Sequence, residues 1–526
     1  MSRPESLRVP CLQVWLPRTW FQRSVGAILT IIIVGVAAPC QDHSLAAIES
    51  LIRQSKYDDA AAQLQQILAK QPSSARALTL LATLQTKEGN WPEAETLNRR
   101  AVATNPKSVE ACVSLATLLR DEARWPEAAA QYESCRKLVP SNTKIAAELA
   151  SVYERAGEYA KSLTAAMSIP AASRPTSLLP VIASDYFATN QPDKASEAVA
   201  QVLRHAGEEP SIVPALANSL IDLGMYRDAA ELLRITEAHH AARADFLAAE
   251  ARVQAAGGDT QQARKTFDQA VKMSPKSQSV LAAGASLAIA WKQWDKALEF
   301  LDAALSAGPP RSDLLQMVVF VELQKRDLQA AHGIAQRWYT MRPEESASAL
   351  AFAVVLVEGN HWGEARPLLE KVLTTNPNDK GARLAMGVVQ YNAGDLAAAK
   401  KYLNGALGGG PDDANAHYFL GLIAKQEGNP SAAVAQLERA VEIQPKNAKA
   451  LGQLGQLYLQ QNELPKARTA LEKAIQQAPE EPQNHYELAR VYNKLGLKEQ
   501  SAEQIKLYEQ LRPQRPQQPL GEAPPH

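Results

Sequence analysis

A small residue recurs every 34 residues along almost the whole chain, and this period limits the fold more than any other feature. The spacing holds from Ala60 to Ser162, slips by one residue to Ala195, and then holds again to Ser501. Twelve of these fourteen positions are Ala and two are Ser. A repeat of this length predicts stacked copies of one supersecondary unit, because each copy is too small to bury a core by itself.

Three further markers divide each unit into two helices. A proline such as Pro72 or Pro445 lies twelve residues after most marker positions, and a second small residue lies twelve residues before most of them. A turn such as Gly89-Asn90-Trp91 falls between the two small residues. The small residues allow two helices to cross closely, the glycine turns the chain, and the proline ends the second helix. The pattern therefore predicts an all-α fold of helix pairs that bury their apolar faces against neighbouring pairs.

In this register the units resemble the tetratricopeptide-repeat (TPR) family. In residues 75–108 the family's pattern is carried by Leu78, Leu81, Ala82, Gln85, Gly89, Trp91, Ala94, Asn98, Ala101 and Pro106. In residues 448–481 it is carried by Leu451, Leu454, Gly455, Tyr458, Ala467, Leu471, Ala474 and Pro479. The resemblance extends from Gln41 to about Arg515. It implies an α-solenoid of stacked antiparallel helix pairs, a right-handed superhelix whose first helices line a concave groove for partners.

The register departs from the family's pattern at one place, which we take as a boundary. Pro170, Pro175 and Pro180 interrupt the fourth unit and its exit. We therefore expect a shortened helix and a local bend at residues 168–180, the alternative being ordinary decay of the repeat without a mechanical role. The predicted organisation is units 1–4 over residues 41–175, units 5–14 over residues 176–515, and a disordered proline-rich tail over residues 516–526.

Residues 1–40 have the features of a signal peptide or an N-terminal membrane anchor. Positive charges precede an uninterrupted apolar run of 14 residues, Val25 to Ala38, and Cys40 comes shortly after it. That length suits a signal peptide and is short for a bilayer span, and the charges favour translocation of the chain on the C-terminal side of the run. We predict a protein of bacterial type that is exported (periplasmic or secreted) or anchored to the membrane by this segment. Cleavage, retention and lipidation at Cys40 stay open, as does a buried cytosolic helix.

Charge and motifs argue against nucleic-acid binding and catalysis. Lys+Arg and Asp+Glu both total 56, whereas binding to a phosphate backbone needs a basic excess or stripe. His239 and His240 are adjacent, so they point in different directions on a helix and make a poor metal site. We therefore predict no enzyme activity, no catalytic residue, no cofactor and no metal site, and membrane contact only through residues 25–39.

The groove that the resemblance implies changes character along the chain. In the early units the groove positions of the first helices are polar and mixed in charge, whereas over residues 312–425 they are apolar. The residues predicted to form this apolar floor are Phe320, Leu323, Leu350, Val354, Val357, Leu384, Val388, Tyr391, Tyr418 and Leu422. A helix that is apolar all round must be covered on all sides. We therefore expect a protein or peptide partner with an amphipathic helix or an apolar extended segment, the alternative being internal packing between units.

Two cysteines fall within one unit, residues 109–142. Cys112 lies early in its first helix and Cys135 late in its second, positions that face each other in an antiparallel pair. Outside the cytoplasm a disulfide is chemically allowed there. The alternative is two buried thiols that fill small spaces in the core.

The sequence as a whole predicts a non-enzymatic protein–protein interaction scaffold or assembly factor outside the cytoplasm. Two alternatives stay open: a cytosolic TPR regulator or co-chaperone, and a targeting subunit for a separate enzyme. Some members of the family bind a C-terminal carboxylate through a Lys and an Asn in the groove. That mode is not expected here, because the equivalent places carry Thr, Val, Ala, Pro or Leu.

Overall fold

The computed structural model describes residues 39–240, 243–408 and 412–512. Within these residues the chain forms twenty-eight α-helices and no strand. The first helices of the pairs are α1 (Pro39–Arg53), α3 (Ala75–Lys87), α5 (Val109–Asp121), α7 (Thr143–Arg155), α9 (Leu179–Ala188), α11 (Ile212–Asp222), α13 (Ala244–Ala256), α15 (Gln278–Ala290), α17 (Ser312–Gln324), α19 (Ser346–Glu358), α21 (Lys380–Asn392), α23 (Ala414–Gln426), α25 (Ala448–Gln460) and α27 (Pro482–Lys494). The second helices are α2 (Tyr57–Lys70), α4 (Trp91–Thr104), α6 (Trp125–Leu138), α8 (Tyr159–Met167), α10 (Pro192–His205), α12 (Tyr226–His240), α14 (Thr260–Met273), α16 (Trp294–Ala307), α18 (Leu328–Met341), α20 (Trp362–Thr375), α22 (Leu396–Leu407), α24 (Pro430–Ile443), α26 (Leu464–Gln477) and α28 (Lys498–Leu511).

The chain divides into two compact units between Gln63 and Leu64. In the described part of the first unit, which holds α1 and the start of α2, Leu45, Ile48 and Ala60 are buried. In the second unit α3 to α28 form thirteen helix pairs, and each pair packs on the next. The predicted all-α solenoid of stacked antiparallel helix pairs is confirmed.

Each of the fourteen turns that join a first helix to its second contains one residue with a left-handed backbone. Seven of these residues are the glycines Gly89, Gly157, Gly224, Gly258, Gly394, Gly428 and Gly496. The other seven are Ser55, Ala123, Asn190, Lys292, Arg326, Asn360 and Asn462. The next residue closes the helix with a Schellman bond, as Asn90 N does to Gln85 O at 2.8 Å. The left-handed backbone conformation therefore recurs with the 34-residue period, including its one-residue slip before Asn190, whether or not the residue is glycine.

The two helices of a pair cross closely because the residue at the crossing is small. A Cβ atom built on Gly387 would lie 2.7 Å from Leu403 Cγ, and one built on Gly421 would lie 2.7 Å from Leu437 Cγ. Both leucines are fully buried. No real side chain fits at such distances, so the leucine of the second helix packs directly on the backbone of the first.

The fourth pair ends early, as the prolines predict. Helix α8 has 9 residues, whereas α4 has 14. Two 3-10 turns come next, Ala171–Ser173 and Thr176–Leu178, before α9 begins. Arg174 Nη2 donates to Ile169 O at 3.1 Å and so ties this segment to the end of the shortened pair.

A buried ion cluster joins parts of the second unit that are 220 residues apart in sequence. Arg342 Nη2 donates to Glu122 Oε1 at 2.6 Å, and Arg124 Nη1 donates to the other oxygen of the same carboxylate at 3.2 Å. Ser312 N donates to Glu122 O at 2.8 Å, and Arg342 also lies 3.8 Å from Glu345. We call these five residues the ion cluster. It fixes the start of α17 against the turn between α5 and α6.

Burial has the largest effect on the pKa of Glu122, the carboxylate that both arginines contact. It raises the pKa of Glu122 from 4.5 to about 7, although Arg342 and Arg124 oppose the shift. The folded state therefore binds the proton more tightly than the unfolded state. The stability that this group contributes is fully present below pH 4.5 and is lost as the pH rises through 7.

The predicted export or membrane anchoring is wrong for the part of the chain that the structure describes. None of the helices in that part is long and apolar enough to cross a membrane. The apolar run of residues 25–38 and the predicted tail, residues 516–526, lie outside the described residues, and Cys40 lies in the first turn of α1.

Replacing Gly421 by Ala should lower the free energy of unfolding by about 1–3 kcal/mol, because the new methyl group would overlap Leu437 in a packed core. Gly333, in the middle of α18, is the matched control, since a Cβ there would meet nothing within 4 Å. Gly333→Ala should stabilise the helix by ~0.5–1 kcal/mol. Urea titration followed by circular dichroism measures both changes. Equal effects of the two substitutions would contradict the close crossing.

Replacing Arg342 by Met should destabilise the solenoid by about 3–5 kcal/mol, because Glu122 would lose its closest cation while remaining buried. The double variant Arg342→Met/Glu122→Met should recover part of that loss, since an apolar pair carries no desolvation cost. Glu122→Gln should flatten the pH dependence of stability between 4.5 and 7. Thermal melting at several pH values tests all three. A single variant that melts like the unchanged protein would show that the cluster carries no stability.

The structure brings Cys112 of α5 and Cys135 of α6 together, with their Cα atoms 5.6 Å apart. Under oxidising conditions we expect them to form a disulfide that stabilises the fold by ~2–4 kcal/mol, which a reductant should remove. Mass spectrometry of a non-reduced digest should find the two cysteine peptides linked. Rapid alkylation of both thiols in oxidised, folded protein would contradict the bridge, and the double variant to Ser is the control for the melting shift.

Candidate partner-binding groove

The first helices of consecutive pairs lie side by side: α17 contacts α19, α19 contacts α21, α21 contacts α23, and α25 contacts α27. Residues 34 apart therefore occupy equivalent places on neighbouring helices. One row consists of Leu350, Leu384, Tyr418, Gly452 and Tyr486. A second row consists of Phe320, Val354, Val388, Leu422, Gln456 and Arg490. Because the repeat is regular, a change of residue type along a row is a change in the chemistry of this face.

The ten residues predicted for the apolar floor lie on these helices, but neighbouring pairs cover them unequally. Phe320 is 44% exposed, whereas Val357 and Val388 are each 8% exposed and therefore unavailable to a partner. The remaining seven are half-buried: Leu323, Leu350, Val354, Leu384, Tyr391, Tyr418 and Leu422. The continuous apolar floor expected from the sequence is thus reduced to separate, partly exposed side chains, because packing between pairs covers much of it.

Aromatic contacts hold two of these side chains in place. The rings of Tyr391 and Tyr418 both meet Phe419 edge to face, with centroids 5.5 and 5.2 Å from it. Burial, with a smaller effect of Tyr391, raises the pKa of Tyr418 above its ordinary value. Tyr418 is therefore a neutral phenol at physiological pH, which presents an apolar ring with one polar end.

A cavity of about 730 Å³ lies between the end of α17 and the first helices of the last two pairs. Its apolar lining comes from Leu323, Leu328 and Tyr418. Its uncharged polar lining comes from Gln324, Gln453, Gln456, Gln483 and Asn484, and its charged lining from Arg326, Glu358, Lys449, Glu480, Glu481 and Glu487. The side formed by α25 and α27, which we call the polar wall, is therefore predominantly polar, whereas the α17 side combines Leu323 and Leu328 with Gln324 and Arg326.

Two local features shape this cavity. Gly452 takes the place that leucine or tyrosine holds in the neighbouring pairs, and a Cβ atom there would collide with Asn484 Oδ1. At the edge of the cavity Arg326 Nη1 lies 3.8 Å from Glu480 Oε1, with both side chains largely exposed. An exposed ion pair of this kind adds little stability, so it marks where the walls approach each other without locking them together.

Behind the polar wall the side chains form a connected hydrogen-bond network. Lys425 Nζ donates to Gln453 Oε1 at 2.8 Å and to Gln456 Oε1 at 2.5 Å. Glu487 accepts from Gln483 Nε2 at 3.0 Å and pairs with Arg490 at 2.7 Å. Burial lowers the pKa of Lys425, and Glu487 opposes the shift. These hydrogen bonds restrict the orientations of the Gln453, Gln456 and Gln483 carboxamides.

Sequence reasoning missed this polar wall. The apolar floor was predicted over residues 312–425, and beyond it the second row turns polar at Gln456 and Arg490, whereas the first row continues with Gly452 and Tyr486. The signal was nevertheless present, because Lys425, Gly452 and Gln456 continue the same 34-residue register as Tyr391, Tyr418 and Leu422. The other predicted site, Cys112 and Cys135, belongs to α5 and α6 and lines no part of this cavity.

Two family models, both described as tetratricopeptide repeat, match the chain. One matches residues 45–109, 113–175, 215–277 and 248–312, and the other matches residues 356–423 and 424–483. Together they account for more than half of the sequence. No protein with a curated description is significantly similar to it.

Several solved structures are similar to the chain. A chain in the crystal structure of the APC/C hetero-tetramer Cut9–Hcn1 is 14% identical, with 91% of this chain and 95% of that chain covered and a TM-score of 0.47. YrrB, described as a TPR protein with an unusual peptide-binding site, is 21% identical, with 34% and 93% covered and a TM-score of 0.28. A tetratricopeptide repeat protein from Parabacteroides merdae is 16% identical, with 48% and 100% covered and a TM-score of 0.40. At these identities the likeness concerns the fold alone.

The repeat models and the helix pairs agree. The matched segments fall on pairs that share one period, one left-handed turn and one close crossing. On these grounds the chain belongs to the tetratricopeptide-repeat family.

Proposed function

We propose that this protein is a non-enzymatic interaction scaffold that binds a segment of a partner protein in the cavity between α17 and α27. Proteins of this family generally mediate protein–protein interaction, and the fold is typical of non-enzymatic scaffolds. The observation that carries the proposal is the cavity itself, which first helices several pairs apart build together and which combines apolar side chains with a polar wall.

Exposed apolar side chains in and beside the cavity support this proposal, because a bound partner would remove them from water. Phe320 and Leu328 are 44% and 41% exposed, and Leu323, on the same face of α17 as Phe320, lines the cavity. Covering such side chains with a partner gains about 25 cal/mol for each Å² of apolar surface removed from water. The opposite wall supplies polar groups that can fix the orientation of a bound segment.

Glu487 in the polar wall and Lys425 beside that wall also fit recognition better than chemistry. Lys425 is held by two carboxamide oxygens, and Glu487 is held by Arg490 and Gln483. A general acid or base must reach the reacting group of a substrate, and these side chains are engaged with one another. Their arrangement suits a rigid binding surface.

Site-specific cross-linking tests the proposal. A photo-reactive residue at Leu328 should form discrete adducts with a partner polypeptide in cells that contain the full chain. The same residue at Ile235, which is 51% exposed on α12, is the control and should form none of those adducts. Leu323→Asp should reduce the adducts by tenfold or more, because placing an unpaired carboxylate against the partner costs more than ~1.4 kcal/mol.

Circular dichroism of Leu323→Asp should show unchanged helix content, so that the loss reports binding rather than folding. Identical adducts at residues 328 and 235, or no adduct at residue 328, would contradict the assignment of this cavity as the binding site.

A further inference from the structure

We propose that the ion cluster is a proton-dependent clasp between the α5–α6 turn and the start of α17. Binding of one proton closes this contact, and loss of that proton opens it while the helix pairs on both sides stay folded. The clasp makes the relative position of two parts of the second unit, 220 residues apart in sequence, respond to pH. This inference does not depend on what the cavity binds.

The contact that the clasp closes is narrow and polar. Buried apolar side chains of α5 and α6, such as Leu119, belong to one hydrophobic cluster, whereas those of α17, such as Leu314, belong to others. Consecutive described helices pack along their length, but α5 and α6 make no contact of similar extent with α17, α18 or α19. Ser312 N and Arg342 Nη2 both donate to Glu122, so the cluster itself carries the attachment. Opening it would therefore expose little apolar surface and would not require any helix pair to unfold.

The contact holds more negative than positive charge when every group in and around the cluster is ionised. Among the described residues, four carboxylates meet three guanidinium groups there: Glu95, Glu122, Glu127 and Glu345 with Arg99, Arg124 and Arg342. The side chain of Arg99 is 48% exposed, so water weakens its contribution. One proton on a carboxylate would remove the excess charge.

The other charged groups at this contact balance each other and do not supply the missing positive charge. Arg311, beside the start of α17, pairs with Asp313 at 2.5 Å. Arg120, near the end of α5, pairs with Asp121 at 2.8 Å. The excess negative charge therefore belongs to the cluster and to the two carboxylates that contact Arg124 at its edge.

Glu122 and Glu345 are the carboxylates best placed to hold the proton. Both are buried, and both face the same guanidinium group of Arg342, at 2.6 and 3.8 Å. Glu345 Oε2 accepts from Trp338 Nε1 at 3.0 Å, but Glu345 Oε1 is buried without a hydrogen-bond partner among the described residues. An ionised carboxylate buried in this way is costly. Burial raises the pKa of both carboxyl groups, that of Glu122 to about 7, although Arg342 opposes the shift.

The direction of the pH effect follows from the two states of Glu122. In the open contact water reaches this carboxyl group, whose pKa is then the ordinary 4.5, whereas in the closed contact the pKa is about 7. The closed contact therefore binds the proton more tightly and is favoured below pH 7. The ratio of closed to open contact should fall about tenfold between roughly pH 6 and pH 8.5.

Hydrogen exchange at the amide of Ser312 tests the clasp. Ser312 is the first residue of α17, so its N–H has no acceptor within the helix and donates to Glu122 O instead. In the full-length chain its protection factor, corrected for the intrinsic effect of pH on exchange, should fall about tenfold between roughly pH 6 and pH 8.5. The amide of Val319 in the middle of α17 should keep its protection. Mass spectrometry with fragmentation to single residues measures both amides.

Glu122→Gln removes the titrating group and keeps its shape and its polar character. In this variant the protection of Ser312 at the higher pH should equal that at the lower pH. Glu148→Gln is the matched control, because Glu148 also pairs with an arginine, Arg120, at 2.5 Å but lies outside the cluster. The control should keep the tenfold change of the unchanged chain.

Four outcomes would overturn the clasp. The protection of Ser312 could be independent of pH in the unchanged chain, or Ser312 and Val319 could lose protection together, which would show that α17 unfolds with the contact. Glu122→Gln could keep the full pH dependence, which would assign the titration to another group. Low protection of Ser312 at both pH values in that variant would show that the ionised carboxylate, and not the protonated one, closes the contact.

Discussion

The close crossing of the two helices within each pair is the constraint on which the rest of the structure depends. Leu403 and Leu437 pack directly on the backbone at Gly387 and Gly421, where a Cβ atom would have no room. Neither helix can bury its apolar face alone, so the separation of the two helices decides how well a pair matches the next one. An error at one crossing would therefore displace the neighbouring pairs as well. Small residues recur every 34 residues because each helix pair needs this close crossing.

The ion cluster adds a long-range restraint to a fold that otherwise relies on contacts between neighbours. A buried ionic network is seldom the most stabilising choice, because apolar residues of similar shape avoid the cost of desolvation. Its contribution here is geometric, since the Glu122 side chain and backbone together fix Arg342 and Ser312. Ser312 begins α17, and Leu323 near the end of the same helix lines the cavity. One rigid helix thus links the cluster to a wall of the proposed binding site.

The comparison of sequence and structure shows what periodicity can and cannot reveal. Local rules were enough for the helix pairs, the shortened α8 and the facing of Cys112 and Cys135, because each depends on residues within one unit. They did not predict that Ala123 and Lys292 adopt a left-handed backbone, which is usual for glycine. The geometry of the turn requires this conformation, whichever residue occupies the position. The ion cluster and the burial of Val388 depend on how distant or neighbouring pairs approach each other, and no pattern within a single unit contains that information.

The cavity combines apolar side chains with a polar wall, and in the proposed function the two would contribute differently. Apolar contact with Leu323 or Tyr418 is not directional, so it would tolerate a segment that slides or adopts another conformation. Hydrogen bonds to carboxamides are directional, and an unmatched backbone group held against this wall would cost about 1–3 kcal/mol. Lys425 and Glu487 each hydrogen-bond a carboxamide of the polar wall, which would lower the conformational entropy lost by the wall when a segment binds. In the proposed scaffold, apolar contacts would therefore supply affinity and the carboxamides would orient the bound segment.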